Sequence, residues 1–326
     1  MAYFGLDNGA SSFPATQSIR YQKRFRERFR DKSILPLVTN REWQGSFKGV
    51  GTEVDIPVLP TLHSRKTKPG EKVTYDRPEA TMEKFRIGRE RYIALTVKDE
   101  DKLFAGFNIE GPVLEEATKT MGEEVEAEFW EDILSKCATA NTGNTAGYKS
   151  GKYKLGSAAL PVTLFKSDAA ASAGSPVTSE APKMNAVDYI LQQPACIKEQ
   201  PGGKEKPVRI IVPTVLGYLL QTSELKQADL TGDAVSLLRK DLQVIGNLGG
   251  ADVIVSDKLP IYTVSGANCY PIVTVDTSAI TFVEEVKIKD QLQSTEEWGD
   301  FHRSKLIYDW FVRYPEFFSV GYVQIG

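Results

Sequence analysis

Apolar residues recur every four positions between residues 111 and 138, which is the spacing of one face of an α-helix. The recurring positions are Val113, Ala117, Met121, Val125, Phe129 and Ile133, and Leu114, Trp130, Leu134 and Cys137 widen the stripe. The other face carries Glu115, Glu116, Glu123, Glu124, Glu126, Glu128, Glu131 and Asp132. The pattern predicts one helix over residues 112–138 with a solvated acidic side. Its length of roughly 40 Å is more than twice that of a usual globular helix and indicates a central spine.

Two extended segments follow the strand pattern and flank a polar tip. In residues 47–62, Val54, Ile56 and Val58 alternate with polar or turn-forming positions. A second apolar run covers residues 73–97, and Pro69-Gly70 marks the turn between the two. Each arm would reach roughly 50 Å, and an isolated two-stranded ribbon is marginally stable in water. The predicted hairpin therefore either folds back over its own domain or lies across another subunit.

The second half of the chain has the pattern of a compact α+β region. We predict helices over residues 186–198, capped by Asn185, and 214–222. The predicted strands are 208–212, 244–248 and 251–255 (paired across Gly249-Gly250), 270–275, 280–283, and a closing aromatic pair at 305–312 and 317–325. Residues 139–182 have too few large apolar residues for a core of their own and read as an elaborated loop or small hairpin. Strands and helices do not alternate as in a doubly wound sheet, which favours α+β.

Residues 16–32 are strongly basic and predict a further helix. The seven basic residues are Arg20, Lys23, Arg24, Arg26, Arg28, Arg30 and Lys32, against Glu27 and Asp31 alone. Tyr21, Phe25 and Phe29 lie four positions apart and give this helix one aromatic edge. Two interpretations stay open. The segment is either a surface helix docked by that edge, or an arm that reaches an acidic neighbour, such as the Glu-rich helix of another copy or a polyanion.

Composition and motifs argue against catalysis. A net charge of -3 and a hydrophobic content of 41% are ordinary for a soluble protein and do not favour a whole-protein nucleic-acid or membrane binder. No signal peptide or membrane span is visible. Cys137, Cys196 and Cys269 lie too far apart for a paired or metal-binding motif, so we expect reduced, buried thiols in a cytosolic compartment.

The search for a reactive site also finds no candidate. The two histidines, His63 and His302, have no ligand-like spacing, and phosphate-loop, nucleophile-elbow and dinucleotide motifs are absent. The acidic run at residues 99–101 fits a helix cap better than a metal site, because no His or Cys lies near it. We therefore predict no catalytic residue, no cofactor and no metal.

The order of these features resembles the major capsid proteins of tailed bacteriophages, which share the Hong Kong 97 phage capsid fold. Four stretches carry the resemblance: residues 49–57 (GVGTEVDIP), 92–101 (YIALTVKDED), 207–220 (PVRIIVPTVLGYLL) and 251–260 (ADVIVSDKLP). They are similar to the entry into the family's extended loop, its return strand with an acidic turn, and two axial-domain segments. Ala251 and Asp252 replace the family's Gly-Phe. Since each stretch alone is a strand pattern, their order and spacing over residues 15–326 carry the resemblance.

The resemblance implies an α+β capsid fold in four parts. These are an N-terminal arm (1–45), an extended β-hairpin loop (46–97), a peripheral domain built on the spine helix (98–185 and 300–326), and an axial α/β domain (186–299). It implies a structural protein, not an enzyme, whose hexamers and pentamers close into an icosahedral head. The head would be assembled in the host cytoplasm and would enclose double-stranded DNA through non-specific contacts.

The resemblance also implies partners and contact residues. Portal proteins and decoration or cement proteins are expected partners, and no membrane is expected. Contacts between subunits are expected at Arg20, Arg24, Arg28, Arg65, Lys66, Lys68, Glu116, Glu123 and Glu124. Some members begin with a large scaffolding segment that is cut away. Because only a short arm precedes the loop here, we expect a separate scaffolding protein or none.

Two rival functions stay open. An encapsulin-like nanocompartment would share the fold but enclose an enzyme rather than DNA, and the basic arm favours the phage interpretation over it. A more remote rival is an oligomeric metabolic enzyme with an exchanged arm. Some relatives form Lys–Asn links between subunits, but a lysine-rich tip at Lys66, Lys68 and Lys72 is common for solubility, so we do not expect cross-links.

Overall fold

The structure is a computed structural model, and it describes nine segments of the chain together with six single residues. The segments are 33–43, 53–58, 81–98, 110–166, 183–204, 206–222, 244–264, 266–293 and 299–326, and the single residues are 51, 64, 66, 70, 72 and 75. The predicted basic helix over residues 16–32 and the predicted cap at residues 99–101 lie outside the described residues.

The described chain forms a mixed α+β structure in which strands dominate. The helices are α1 (Leu35–Val38), α2 (Glu110–Ile133), α3 (Ala186–Lys198) and α4 (Thr214–Gln221). The strands are β1 (Glu53–Val58), β2 (Thr81–Arg86), β3 (Arg89–Lys98), β4 (Val162–Phe165), β5 (Lys183–Asn185), β6 (Val208–Pro213), β7 (Val244–Leu248), β8 (Ala251–Ser256), β9 (Tyr262–Val264), β10 (Ala267–Asp276), β11 (Ile280–Gln293), β12 (Gly299–Val312) and β13 (Phe318–Ile325). This confirms the α+β class.

An eight-stranded mixed sheet forms the centre of the molecule. Its order is β5-β4-β13-β10-β6-β8-β7, and β9 pairs with β10. The predicted hairpin at β7 and β8 is confirmed, since Leu248 pairs with Ala251. Gly249 and Gly250 have φ values of 61° and 80°, and positive φ at both central residues is what a two-residue hairpin turn of this twist needs.

The predicted long hairpin is confirmed only at its base. β1 and β2 pair antiparallel, with Glu53 opposite Arg86 and Val58 opposite Thr81. The return run is not one strand, because it divides at Ile87-Gly88 and its second part, β3, joins a separate sheet of order β11-β12-β3. The prediction of a single extended return run over residues 73–97 was therefore wrong for its C-terminal part, residues 87–97. Ile87 is fully buried, which fixes the chain where it changes sheets.

The closing aromatic strands also differ from the prediction. Both strands exist, but β12 pairs with β11 and β3, whereas β13 pairs with β10 and β4 in the central sheet. The short 3-10 turn Pro315–Phe317 carries the chain from one sheet to the other. β11 and β12 are each fourteen residues long, far longer than the apolar segments predicted for them.

Helix α2 is the predicted spine helix, and we keep that name for it. It ends at Ile133, and Leu134–Lys136 continues as a 3-10 turn rather than as α-helix. Phe129 and Trp130 are fully buried, and the Phe129 ring packs edge-on against Phe282 and Trp310. The described part of the apolar stripe is therefore confirmed as the side that faces the core.

Helices α3 and α4 match their predictions closely. Oδ1 of Asn185 accepts a hydrogen bond from the backbone N–H of Val187 at 3.0 Å, which confirms the predicted N-cap. The predicted inward residues of α4 are buried: Leu216, Leu219 and Leu220. Between the spine helix and α3, the predicted loop supplies β4 to the central sheet, and Ala146 and Leu155 are fully buried within it.

Candidate subunit-interaction surfaces

A network of charged and aromatic side chains joins the spine helix to β3 and β12. Arg89 of β3 contacts the carboxylates of Glu128 at 2.6 Å and Asp132 at 3.1 Å, and its guanidinium lies 3.8 Å from the centre of the Trp310 ring. Nε1 of Trp310 donates to Asp132 at 2.5 Å. Because Glu128 and Asp132 are four residues apart, they lie on one face of the helix and present both carboxylates to β3.

Arg91 forms the second half of this network, two residues further along β3 and so on the same face of the strand. Its guanidinium pairs with Glu128 at 3.0 Å and also with Glu124, and its Nε donates to the hydroxyl of Tyr308 at 2.9 Å. That hydroxyl donates in turn to Glu128 at 2.6 Å. The spine helix is therefore held to the sheet by two arginines that each bridge two of its carboxylates.

The network shifts the titration of its carboxylates. Burial alone would raise the pKa of Glu128, but hydrogen bonds from Tyr308, Arg91 and Arg89 outweigh it, and the pKa of Glu128 lies below its ordinary value. The pKa of Asp132 is lowered in the same way, since the hydrogen bonds from Lys136 and Trp310 outweigh burial. At a pH above the ordinary carboxylate pKa, ionised Glu128 and Asp132 therefore stabilise the folded chain. This stabilisation is lost as the pH falls through the pKa values that the two groups have in the folded chain.

An open groove of about 480 Å³ lies beside this network, between the spine helix and β3. It is lined by Glu90, Arg91, Tyr92 and Ile93 of β3 and by Thr120, Met121 and Glu124 of the helix. Met121 is buried, whereas the Tyr92 side chain is 78% exposed beside it. Glu90 at the rim pairs with Lys305 at 2.5 Å. The groove therefore combines an apolar floor, an exposed aromatic ring and carboxylates at its edge.

Glu126 lies on the opposite side of the spine helix. The prediction that it belongs to a solvated acidic face was wrong. Glu126 is only 2% exposed, and Oε2 accepts a hydrogen bond from the backbone N–H of Ile34 at 3.1 Å. Oε1 accepts from the hydroxyl of Ser256 at 3.2 Å and from Nε1 of Trp130 at 3.4 Å. Burial raises the pKa of Glu126, and the hydrogen bonds offset only part of this effect. Glu126 thus ties the backbone at Ile34 to the spine helix.

A second exposed surface lies on α4. Val215 and Tyr218 are 45% and 64% exposed, whereas Leu216, Leu219 and Leu220 of the same helix are buried. The helix therefore has an apolar side toward the central sheet and two apolar residues toward solvent. Val215 and Tyr218 are therefore apolar side chains that the rest of the chain does not cover.

The structure describes four of the nine predicted contact residues. Glu124 pairs with Arg91, and Glu123 lies 3.8 Å from Nζ of Lys258, so both are engaged within the chain. Glu116 is half-buried, and Lys66 is exposed. Outside the described residues lie Arg20, Arg24, Arg28, Arg65 and Lys68. Whether any of the nine contacts a second subunit stays a prediction.

Sequence reasoning missed Arg89 and Arg91, which bind the spine's acidic residues within the chain. The available signal was their spacing of two along an extended segment, opposite carboxylates at Glu124, Glu128 and Asp132 spaced four apart on a helix. Both periodicities are visible in the sequence. Their juxtaposition depends on β3 leaving the hairpin for the second sheet, and no local pattern indicates that.

The described residues contain no group of three or more His, Cys, Asp or Glu placed to hold a metal ion. Within the same part of the chain, no helix combines the length and apolar character needed to cross a membrane. The three cysteines are free thiols, with Cys196 and Cys269 buried and Cys137 partly buried.

Comparison with solved structures finds phage capsids. A structure from Mycobacterium phage Che8 matches with a TM-score of 0.57 at 19% identity, covering 90% of this chain and 91% of that one. The capsid of cyanophage P-SCSP1u matches with a TM-score of 0.55 at 13% identity, covering 91% and 88%. The mature capsid of bacteriophage PhiM1 gives 0.57 at 15% identity, covering 91% and 88%. No family model matches the chain, and no curated protein matches it by sequence.

These matches extend over about nine-tenths of each chain at identities below 20%, so they define a shared fold. The chain has the fold of the tailed-phage major capsid proteins. The phage capsid fold expected from the sequence resemblance is therefore confirmed, whereas its division into four parts stays a prediction.

Proposed function

We propose that this protein is the major capsid protein of a tailed bacteriophage, a structural protein without a catalytic step. The observation that carries the proposal is the fold shared with phage capsid structures along almost the whole chain. Copies of the chain assemble into hexamers and pentamers, which close into an icosahedral head. The protein is located in the virion and is assembled in the host cytoplasm.

The proposed parts are the arm (1–45), the extended loop (46–97), the peripheral domain (98–185 and 300–326) and the axial domain (186–299). Exposure within the loop supports its role as a contact between subunits. Every described residue between β1 and β2 is exposed: Ser64, Lys66, Gly70, Lys72 and Tyr75. Tyr75 is 88% exposed, and burying such a side chain against a neighbour would remove its apolar surface from water.

A loop-deleted variant that keeps the paired base of the hairpin tests this role. Val58 and Thr81 are directly opposite each other in β1 and β2, so residues 59–80 can be replaced by Asn-Gly, which favours a two-residue hairpin turn. We expect the unfolding free energy of this variant to differ from that of the parent by no more than about 1 kcal/mol, because the variant keeps the paired strands and the core. We also expect it to sediment only as small species under conditions in which the parent forms shells.

A matched pair of single substitutions separates loop contacts from general surface effects. Tyr75→Ser removes an exposed loop ring, and Tyr148→Ser removes a 57% exposed ring on the segment that follows the spine helix. Of these two substitutions, only Tyr75→Ser should slow assembly. A loop-deleted variant that forms shells like those of the parent would contradict the proposed role of the loop.

The head is proposed to enclose double-stranded DNA held by non-specific, salt-dependent contacts. Portal proteins and decoration or cement proteins would complete the particle. Nucleic acid recovered from nuclease-treated particles is the direct test of DNA packaging. Particles filled with a protein cargo and free of nucleic acid would instead indicate a nanocompartment.

A further inference from the structure

We infer that the groove between the spine helix and β3 is the docking site for residues 16–32 of a second copy of this chain. The inference rests on the proposed function, since it requires a neighbouring subunit. It goes further by assigning residues 16–32 to one surface, which is defined by Tyr92, Ile93, Met121, Glu90 and Glu124.

The groove has the features of an incomplete interface. Tyr92 is 78% exposed although it lies beside the buried Met121 and the half-buried Ile93. An aromatic residue at such an edge gains apolar contact when another ring covers it. The carboxylates of Glu90 and Glu124 lie at the rim, and their side chains are 49% and 56% exposed although each pairs with a cation within the chain. The groove therefore suits a partner with rings at its centre and cations at its edge.

Residues 16–32 have this combination in helical register. Tyr21, Phe25 and Phe29 repeat every four residues, and Arg20, Arg24 and Arg28 precede each of them by one. In a helix these sets form two adjacent stripes, one aromatic and one basic. The spine presents Glu116, Thr120, Glu124 and Glu128 at the same spacing of four, or about 6 Å along the axis. The two periodicities match over several turns.

The charges of the two segments are complementary. The spine helix contains nine carboxylates and a single basic residue, Lys119. Among the described residues, four further cations pair with it: Arg89, Arg91, Lys136 and Lys258. These groups together leave a net charge of -4, taken over nine acidic and five basic side chains. Residues 16–32, with seven basic and two acidic side chains, carry a net charge of +5.

The path of the chain favours the groove of another copy over its own. Ile34 is held by Glu126, and Glu126 is two residues beyond Glu124, or roughly 200° around the helix axis. The first described residues, Ser33 and Ile34, therefore lie on the side of the spine away from the groove. Phe29 precedes Ser33 by four residues, which span at most about 14 Å. Half the circumference of a helix 10–12 Å across is roughly 16–19 Å. To reach the groove of its own chain, Phe29 would need an almost fully extended connection to Ser33, and this favours the groove of a second copy.

Disulfide trapping between two variants, each with one added cysteine, tests the inference. Full-length Phe25→Cys and Tyr92→Cys chains are mixed, assembled and oxidised, and the yield of the mixed dimer is read on a non-reducing gel. We expect at least tenfold more mixed dimer than with Phe25→Cys and Tyr148→Cys, which places the second thiol on an exposed residue outside the groove. A ratio near one would overturn the inference.

The native thiols give a low background. Burial raises the pKa of Cys137 and Cys196 to about 12 and that of Cys269 to about 11, so few thiolates exist at pH 8. Parent chains oxidised in parallel measure what remains. A double variant with Phe25→Cys and Tyr92→Cys in one chain tests whether residues 16–32 reach the groove of their own chain. A cross-link formed within single subunits would contradict docking on a second copy.

Electron microscopy of the same samples shows whether shells form. It therefore distinguishes a failure of the docking inference from a failure of the proposed shell function. Shells without the cross-link would overturn the docking site and leave the shell function intact. If the parent forms no assemblies, the shell function fails and the inference fails with it. The combined variant Arg24→Glu and Arg28→Glu adds a further test. If this variant loses packaged nucleic acid, and if Phe25→Cys and Tyr92→Cys cross-link no more than the parent chains do, residues 16–32 bind DNA instead of the groove.

Discussion

At the scale of single residues, Glu126 has an unusual position, because a carboxylate inside the core serves as an anchor for the backbone. It accepts hydrogen bonds from the N–H of Ile34 and from two side chains, Ser256 and Trp130. Buried carboxylates are tolerated when their oxygens are hydrogen-bonded, and here the bonds connect α1, the spine helix and the end of β8. Its removal would leave the Ile34 amide without its acceptor.

The raised pKa of Glu126 predicts how the variant Glu126→Gln depends on pH. In the folded chain the carboxyl binds its proton more tightly than in the unfolded chain, so its contribution favours folding below about pH 4.3 and weakens as the pH rises through the folded pKa. Glutamine keeps one acceptor oxygen and does not titrate. The unfolding free energy of the glutamine variant should therefore improve relative to the parent between pH 5 and pH 8. Urea unfolding of unassembled subunits at the two pH values measures this, and a difference that is constant with pH would contradict it.

Glu126 also shows what the sequence could predict at this scale. It precedes Phe129 by three residues and Trp130 by four, so helical geometry places it on the buried side. Its charge favours the solvated side, and the two criteria disagree. The tie to Ile34 spans 92 residues of sequence, so no local pattern could resolve the disagreement.

At the scale of secondary structure, the attachment of β3 to the spine helix depends on Arg91. Replacement by methionine keeps most of the apolar side chain but removes the cation that bridges Glu124 and Glu128. We expect a loss of about 1 kcal/mol at pH 7, because these groups are about one-third exposed or more and solvent screens their attraction. The loss should shrink in acid, as the pH falls through the lowered pKa of Glu128 and its carboxylate is protonated in both chains.

The matched control for this change is Lys119→Met on the same helix. Lys119 is exposed, and a surface substitution of this kind is expected to change the unfolding free energy by no more than about 0.5 kcal/mol. Urea unfolding measured from pH 7 downward through the acid range gives both values. A loss for Arg91→Met that stays constant over this whole range would show that its cation does not act through these carboxylates.

The same elements show where sequence patterns suffice. The spine, α3, α4 and the β7–β8 hairpin follow from local periodicity and turn residues, because each is specified within one stretch of chain. The assignment of β3 and β12 to one sheet is a pairing across more than two hundred residues. In β11, charged residues fill positions beyond the apolar segment, so pairing extends the strand past the point where its pattern ends.

At the scale of the whole molecule, the chain carries surfaces that its own fold leaves uncovered. Tyr75 of the loop, Tyr92 of the groove and Tyr218 of α4 are 88%, 78% and 64% exposed, and they belong to three different regions. Large apolar residues exposed singly are common, but these three occur in a loop, a groove and a helix face of a chain with a capsid fold. We expect them to be covered in the assembled shell.

The sequence predicted the fold at this scale through the order of its features rather than through any single motif. The candidate contact residues were less predictable, since subunit contacts depend on the relative placement of two copies. Glu123 and Glu124 illustrate the difficulty: their charge marks them as available for a partner, yet Lys258 and Arg91 of the same chain lie against them.

Electron microscopy of the purified full-length protein, alone and with a co-expressed scaffolding protein, tests the central claim most directly. We predict closed polyhedral shells, or rings of six and five subunits. A uniform field of small particles under all conditions would contradict a shell protein and would return attention to an arm-exchanged oligomer.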